Sequence, residues 1–133
     1  GSRNRWGDVA SEMATFVRDY GFSVVENFVG HGIGKNMHED PQVPNFCSPS
    51  FRRKHDFELE PGLVIAVEPM VNMGTKKVRV LQDFWTQSTN DGKYSAHFEH
   101  TIAITDGGPL VLTAAPQSGE EKEMTGVVTT TEG

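Results

Sequence analysis

Apolar side chains at Val9, Met13, Phe16, Val17 and Tyr20 recur at helical spacing, which predicts one amphipathic helix with Asp8 as its N-cap and Gly21 as its stop. The period then changes. Residues 22–28 (FSVVENF) are rich in β-branched and aromatic side chains and predict a strand that delivers the chain into a segment punctuated by glycine and proline, residues 30–46 (GHGIGKNMHEDPQVPNF). Residues 47–56 are polar with a basic knot and read as a surface loop. A short apolar run with Phe57 and Leu59 follows, and Glu60-Pro61-Gly62 marks a turn. Residues 63–71 (LVIAVEPMV) then read as one long buried strand, with Glu68 near its end and Pro69 barring further central pairing. A turn at residues 72–74 leads to short strands at Val78, Val80 and Leu81 and at Phe84-Trp85-Thr86, and Asn90-Asp91-Gly92 turns the chain again. From Ser95 the alternation is regular: His97, Glu99, Thr101, Ala103 and Thr105 point one way, Phe98, His100, Ile102 and Ile104 the other. A last strand is predicted over residues 110–113, no internal repeat is visible, and residues 115–133 read as a disordered polar tail behind a unit of residues 1–114.

The totals narrow the classes. A length of 133 residues suits one domain with a core of its own. A net charge of -6 argues against a surface for gripping phosphate backbones, and Arg52-Arg53-Lys54 and Lys76-Lys77 are too short to reverse it. The single cysteine, Cys47, excludes an internal disulfide framework and fits a reducing, cytoplasmic setting; it reads as a passive thiol. No apolar run approaches the length of a membrane span, so no membrane contact is expected. The Gly1-Ser2 start suits a cloning scar, a processing site or a cut through a longer protein.

Candidate chemistry centres on two carboxylates and a histidine. Glu68 and Glu99 sit inside apolar strand-like runs, where an unpaired charge must be neutralised, hydrogen-bonded or bound to a metal. His31, between Gly30 and Gly32, can be approached closely by backbone or ligand, and imidazole with carboxylates suits manganese, cobalt, iron or zinc. Pairing of both glutamates with basic side chains or solvent is the plainer alternative. His38 shares a segment with His31. His97 lies on the Glu99 face, His100 is expected to pack or hydrogen-bond in the core, Trp85 suits a core or a pocket wall, and Met37, Met70 and Met73 suit packing.

The strings GHGIG with HEDPQV, EPGLVIAVEPMV, WTQST and SAHFEHTIAITDGGP closely resemble, in order and spacing, the carboxy-terminal half of type I methionine aminopeptidases, and the similarity covers residues 8–113. That resemblance implies an α/β (α+β) fold, half of a pita-bread architecture, in which a curved antiparallel sheet carries a flanking helix. It implies an enzyme using two divalent metal ions (Co, Mn, Fe or Zn) to remove N-terminal methionine from nascent polypeptides, with the ribosome as a further partner. Carried over by position, it makes His31, Glu68 and Glu99 metal ligands, Glu68 also the general acid and base, and His38 the histidine that binds the substrate amide. It makes Met37 and Trp85 walls of the methionine pocket, with Met37 replacing a common phenylalanine and His97 standing where glutamine is frequent. The resemblance also calls for two aspartate ligands and a further histidine from an amino-terminal half. Asp40, Asp83, Asp91 and Asp106 do not stand in the matching context, so the chain is expected to be a fragment with little activity by itself. A non-catalytic module that binds polypeptide N-termini or a partner chain is the competing expectation.

Overall fold

The computed structural model describes residues 4–115, so all but the first residue of the expected tail lies outside the described residues. Helix α1 (Trp6–Asp19) starts before Asp8, with Arg5 in the N-cap position and no side-chain cap of its own. The open N–H groups of its first turn are met by a remote segment instead: the Phe57 carbonyl accepts from Trp6 at 3.0 Å, and the Asp56 carboxylate accepts from Gly7 at 2.8 Å. The Asp56 side chain is only 2% exposed, and it also receives Arg5 Nε at 3.1 Å and faces the Arg52 guanidinium at 3.9 Å. A buried carboxylate is tolerable there because the positive helix end and two cations surround it. Asp8, the expected cap, binds Arg52 at 2.8 Å on the outside.

The helix buries its first turns, not its whole apolar stripe. Trp6 and Ala10 form the core with Val43 and Ile65, rimmed by Val9, Met13, Phe51, Phe57 and Leu59. The Trp6 indole N–H donates to the Pro44 carbonyl at 2.8 Å, which satisfies the one polar atom of the buried ring. Phe16 and Tyr20 remain 63% and 68% exposed and pack on each other.

Beyond the helix run β1 (Ser23–Val24), β2 (Gly30–Gly32), β3 (Glu39–Val43), α2 (Pro49–Lys54), β4 (Val64–Val67), β5 (Met70–Asn72), β6 (Val78–Val80), β7 (Gln87–Thr89), β8 (Ser95–His97), β9 (His100–Thr105) and β10 (Gly108–Val111). All pairings are antiparallel: a five-stranded sheet ordered β10-β9-β4-β2-β3, a three-stranded sheet ordered β1-β5-β8, and the hairpin β6-β7. The punctuated segment of residues 30–46 thus contains a hairpin, and the expected loop of residues 47–56 contains α2, capped by Ser48, whose hydroxyl accepts from Phe51 N at 3.0 Å. The strand expected at Phe84-Trp85-Thr86 is a turn instead. Phe84 takes a φ of 58°, and the Asp83 carboxylate accepts from the Thr86 hydroxyl and from the Trp85 and Thr86 N–H groups. These hydrogen bonds, the Thr86 hydroxyl first, hold Asp83 below the ordinary carboxylate range.

The most consequential departure concerns the two long strands expected over residues 63–71 and 95–105. Each is cut in two. The pairing of β4 with β9 ends at Val67 and His100, and the pairing of β5 with β8 starts at Met70 and His97. Glu68 and Pro69 therefore lie across from Phe98 and Glu99 in one shared break, where both strands leave the five-stranded sheet and enter the three-stranded one. Pro69 has no N–H to continue a ladder, although its carbonyl accepts from Phe98 N at 3.3 Å. Asn45, 1% exposed, donates to the Glu68 carbonyl at 3.3 Å and so holds the break from the side.

Strand alternation separates core from site. His31 is registered opposite Ala66, and Gly32 opposite Ile65, so His31 and Ala66 share the face turned away from Ile65 and the helix. Asp56→Ala should lower the unfolding free energy by about 2–3 kcal/mol, because it strands the Gly7 N–H and the Arg5 guanidinium. Asp8→Ala, which breaks only the outer pair, should change it by less than about 1 kcal/mol. Urea denaturation of both variants measures the difference.

Candidate metal centre

His31 is presented by a strand that leaves no room for side chains on either side of it. A Cβ built on Gly30 would overlap the Ala66 carbonyl oxygen, and one on Gly32 would overlap the Asp40 carbonyl oxygen. The glycines therefore admit neighbouring backbone, one of the two partners that the sequence left open. Between them the imidazole is oriented by its own backbone: Nδ1 lies 2.9 Å from the Gly32 carbonyl oxygen. A carbonyl only accepts, so Nδ1 carries the proton and, in the neutral ring, Nε2 is a bare lone pair.

That lone pair meets Glu68. Nε2 stands 3.4 Å from Glu68 Oε1, with the two side chains 16% and 19% exposed. Bare lone pairs repel, and a metal cation between the two atoms would turn that repulsion into attraction. His31, Glu68 and the exposed Glu99 each offer one ligand atom, and these atoms all lie within 4.8 Å of one another. Donors on one ion at about 2.0–2.2 Å are separated by roughly 3–4.4 Å, so the trio fits a divalent ion after small side-chain shifts. The His31 N–H bound to a backbone carbonyl also matches the support that metal-ligating histidines use.

The other expected residues divide. The His38 ring centroid lies 4.1 Å from that of His31, so the two histidines of the hairpin do meet, although His38 is exposed. His97 reaches Glu68 from the other side, Nε2 to Oε2 at 3.6 Å. His100 is exposed and hydrogen-bonds the Thr113 hydroxyl at 3.0 Å, which corrects its expected core position. Met37 and Trp85 are 72% and 86% exposed, rings and chains that the described residues do not enclose. Cys47 packs against the core, where its thiol meets the Ser48 carbonyl and the Arg52 guanidinium. Sequence reasoning missed Asn45, which carries no local signal because its importance depends on a break formed by strands far along the chain.

The sequence profile of metallopeptidase family M24 matches residues 2–106. The chain belongs to this family. It is 53% identical over 110 residues to the methionine aminopeptidase of Clostridium perfringens, covering 83% of this chain and 43% of that protein. It is 48% identical over 109 residues to methionine aminopeptidase 1 of Bacillus subtilis, covering 82% of this chain and 42% of that protein. Among solved structures, the methionine aminopeptidase of Thermotoga maritima superposes with a TM-score of 0.76 at 44% identity, over 84% of this chain and 43% of that one. That of Rickettsia prowazekii superposes with a TM-score of 0.75 at 32% identity, over 84% and 44% respectively. The M24 chain thus spans about two fifths of the length of these relatives. Its α/β fold with antiparallel sheets is the one expected, the pita-bread architecture of those structures. Family M24 is a metallopeptidase family, so divalent metal use agrees with the geometry of the trio. No helix among the described residues is long and apolar enough to cross a membrane.

Gly32→Ala should destabilise the M24 chain by about 1–3 kcal/mol, the range for forcing atoms into occupied space. It should also weaken divalent metal binding, because the His31 imidazole is oriented by the Gly32 carbonyl. Thermal denaturation and manganese calorimetry of the same variant test the two effects together.

Proposed function

We propose that this chain is part of a methionine aminopeptidase catalytic domain, with residues 1–114 as the catalytic portion, and that the whole protein removes N-terminal methionine from nascent polypeptides. The observation that supports this most is the bare His31 Nε2 held 3.4 Å from a glutamate oxygen, in a chain about half identical to named methionine aminopeptidases. In this reading His31, Glu68 and Glu99 are metal ligands, and the whole protein uses two divalent ions drawn from manganese, cobalt, iron or zinc. When bound, such ions polarise the scissile carbonyl and lower the pKa of the attacking water.

The chain's own side chains do the rest. Glu68 accepts a proton from that water and passes it to the leaving amine, a transfer that its place within the trio permits. His38, its ring tilted against that of His31, donates to the substrate amide and steadies charge as the carbonyl becomes tetrahedral. Met37 and Trp85, exposed here, form walls of the methionine pocket when the rest of the domain covers them. Cytoplasmic placement near ribosomes follows from the substrate.

Among the described residues, no aspartate joins His31, Glu68 and Glu99. The chain by itself should therefore hold one ion and turn over little peptide. An assay with a Met-Ala-Ser peptide and added manganese or cobalt should give negligible release of methionine from the chain alone. Release should appear after addition of the amino-terminal half of the Bacillus subtilis relative. Turnover by the chain alone at about 1 per second or faster would reject the two-ion requirement. A crystal soaked in manganese should show an anomalous peak among His31, Glu68 and Glu99, and its absence at saturating metal would reject the ligand assignment.

A further inference from the structure

Glu68 has an imidazole at each carboxylate oxygen. Oε1 stands 3.4 Å from His31 Nε2, and Oε2 stands 3.6 Å from His97 Nε2. Among the described residues no other cation or donor lies within bonding range of this carboxylate. The two imidazoles are not equivalent. His31 has its one proton committed to the Gly32 carbonyl and offers Glu68 a bare nitrogen. His97 has no such ring commitment and can place its proton on Nε2. Nor does His97 belong to the group whose ligand atoms lie within 4.8 Å of one another, so it is set beside the ion's position, not on it.

Backbone pairing fixes His97 where it stands. It is the last residue of β8, registered opposite Met70, and the next N–H, that of Phe98, donates to the Pro69 carbonyl at 3.3 Å. The side of the shared break that carries His97 is thereby tied to the side that carries Glu68.

We propose that His97 is a positioning residue for Glu68: its Nε2–H donates to Oε2, so that Oε1 alone turns toward the ion shared with His31. This rests on the metal reading above. A glutamate with an unheld second oxygen can close both oxygens onto one ion; the donor at Oε2 prevents this and keeps that oxygen outside the coordination sphere. The separation of 3.6 Å exceeds a formed N–H···O bond, usually near 3.0 Å, by an amount that a small carboxylate rotation removes. The role needs an N–H at the reach of Nε2, which a glutamine amide supplies and an alanine methyl or a shorter asparagine does not.

Cobalt(II) titration of the full 133-residue chain, read by calorimetry and by visible absorption, tests this with His97→Ala, His97→Asn and His97→Gln. Alanine and asparagine should each weaken cobalt binding about 10–100-fold and shift the visible bands as a second carboxylate oxygen enters coordination. Glutamine should restore both the affinity and the spectrum, and the urea midpoint of every variant should stay near that of the unaltered chain. Unchanged affinity and spectrum in the alanine and asparagine variants would overturn the inference alone. Loss in the glutamine variant equal to that in alanine would also overturn it, by assigning His97 to the ion directly. Failure of the unaltered chain to bind cobalt would overturn the metal reading and this inference with it.

Discussion

The structure turns on the shared interruption of two antiparallel strands. One strand breaks at Glu68-Pro69 and its neighbour at Phe98-Glu99, so both pass from the five-stranded sheet to the three-stranded sheet at the same point. A break in only one of them would leave ladder groups unmatched on the other, with the penalty that unpaired backbone carries. Because the two breaks coincide, the freed groups serve each other or a neighbour: the Pro69 carbonyl takes the Phe98 N–H, and the Glu68 carbonyl takes the Asn45 amide. The same coincidence brings two carboxylates together, which electrostatics alone would oppose. A cation between them and His31 reverses the sign of that interaction, so the backbone geometry prepares a place for positive charge.

The support for this arrangement comes from the other face. Trp6 and Ala10 of α1 pack on Val43 and Ile65, whose strands β3 and β4 flank β2, the strand that carries His31. The helix is itself anchored by Asp56, which ends the segment containing α2 and caps the first turn of α1 through Gly7. Arg5 and Arg52 balance its charge from two sides. Packing from the helix side thus restrains the strands on both sides of the imidazole, while the ligand side stays free of bulky groups because Ala66, not a larger residue, faces His31.

Much of the candidate trio was legible in the sequence, since a glutamate in an apolar strand-like run must find a partner and the run around Glu68 is plain. The coarse fold was legible for the same reason, through alternation and turn residues. What escaped was non-local. No alternation pattern distinguishes one long strand from two that change sheets, and only Pro69 hinted at the break. The helix start was misplaced because Asp8 satisfies a local capping rule, whereas the cap comes from Asp56, distant in sequence. Trp85 and Met37 were read as pocket walls by resemblance, and an exposed side chain in the described residues neither makes nor denies a wall that other residues must complete.

The strand β2 joins the two demands of the protein, and it does so with residues that are poor strand formers. Gly30 and Gly32 each weaken a strand by roughly 0.5–1 kcal/mol relative to alanine, through the conformational freedom they lose. They also contribute nothing to the core face on which they lie. Alanine is nevertheless barred, because the Ala66 and Asp40 carbonyls press on those positions. The close approach that excludes side chains is what holds β3 and β4 tightly about His31, with a register shift between His31 and Gly32 that accompanies the turn of the ring toward the Gly32 carbonyl. The burial of Val43 and Ile65 against Trp6 offsets the weakness, each fully buried aliphatic side chain contributing about 1.5–3 kcal/mol. Stability is therefore drawn from the strands beside the imidazole, and the strand that carries it is left free to meet the geometry a metal ligand requires.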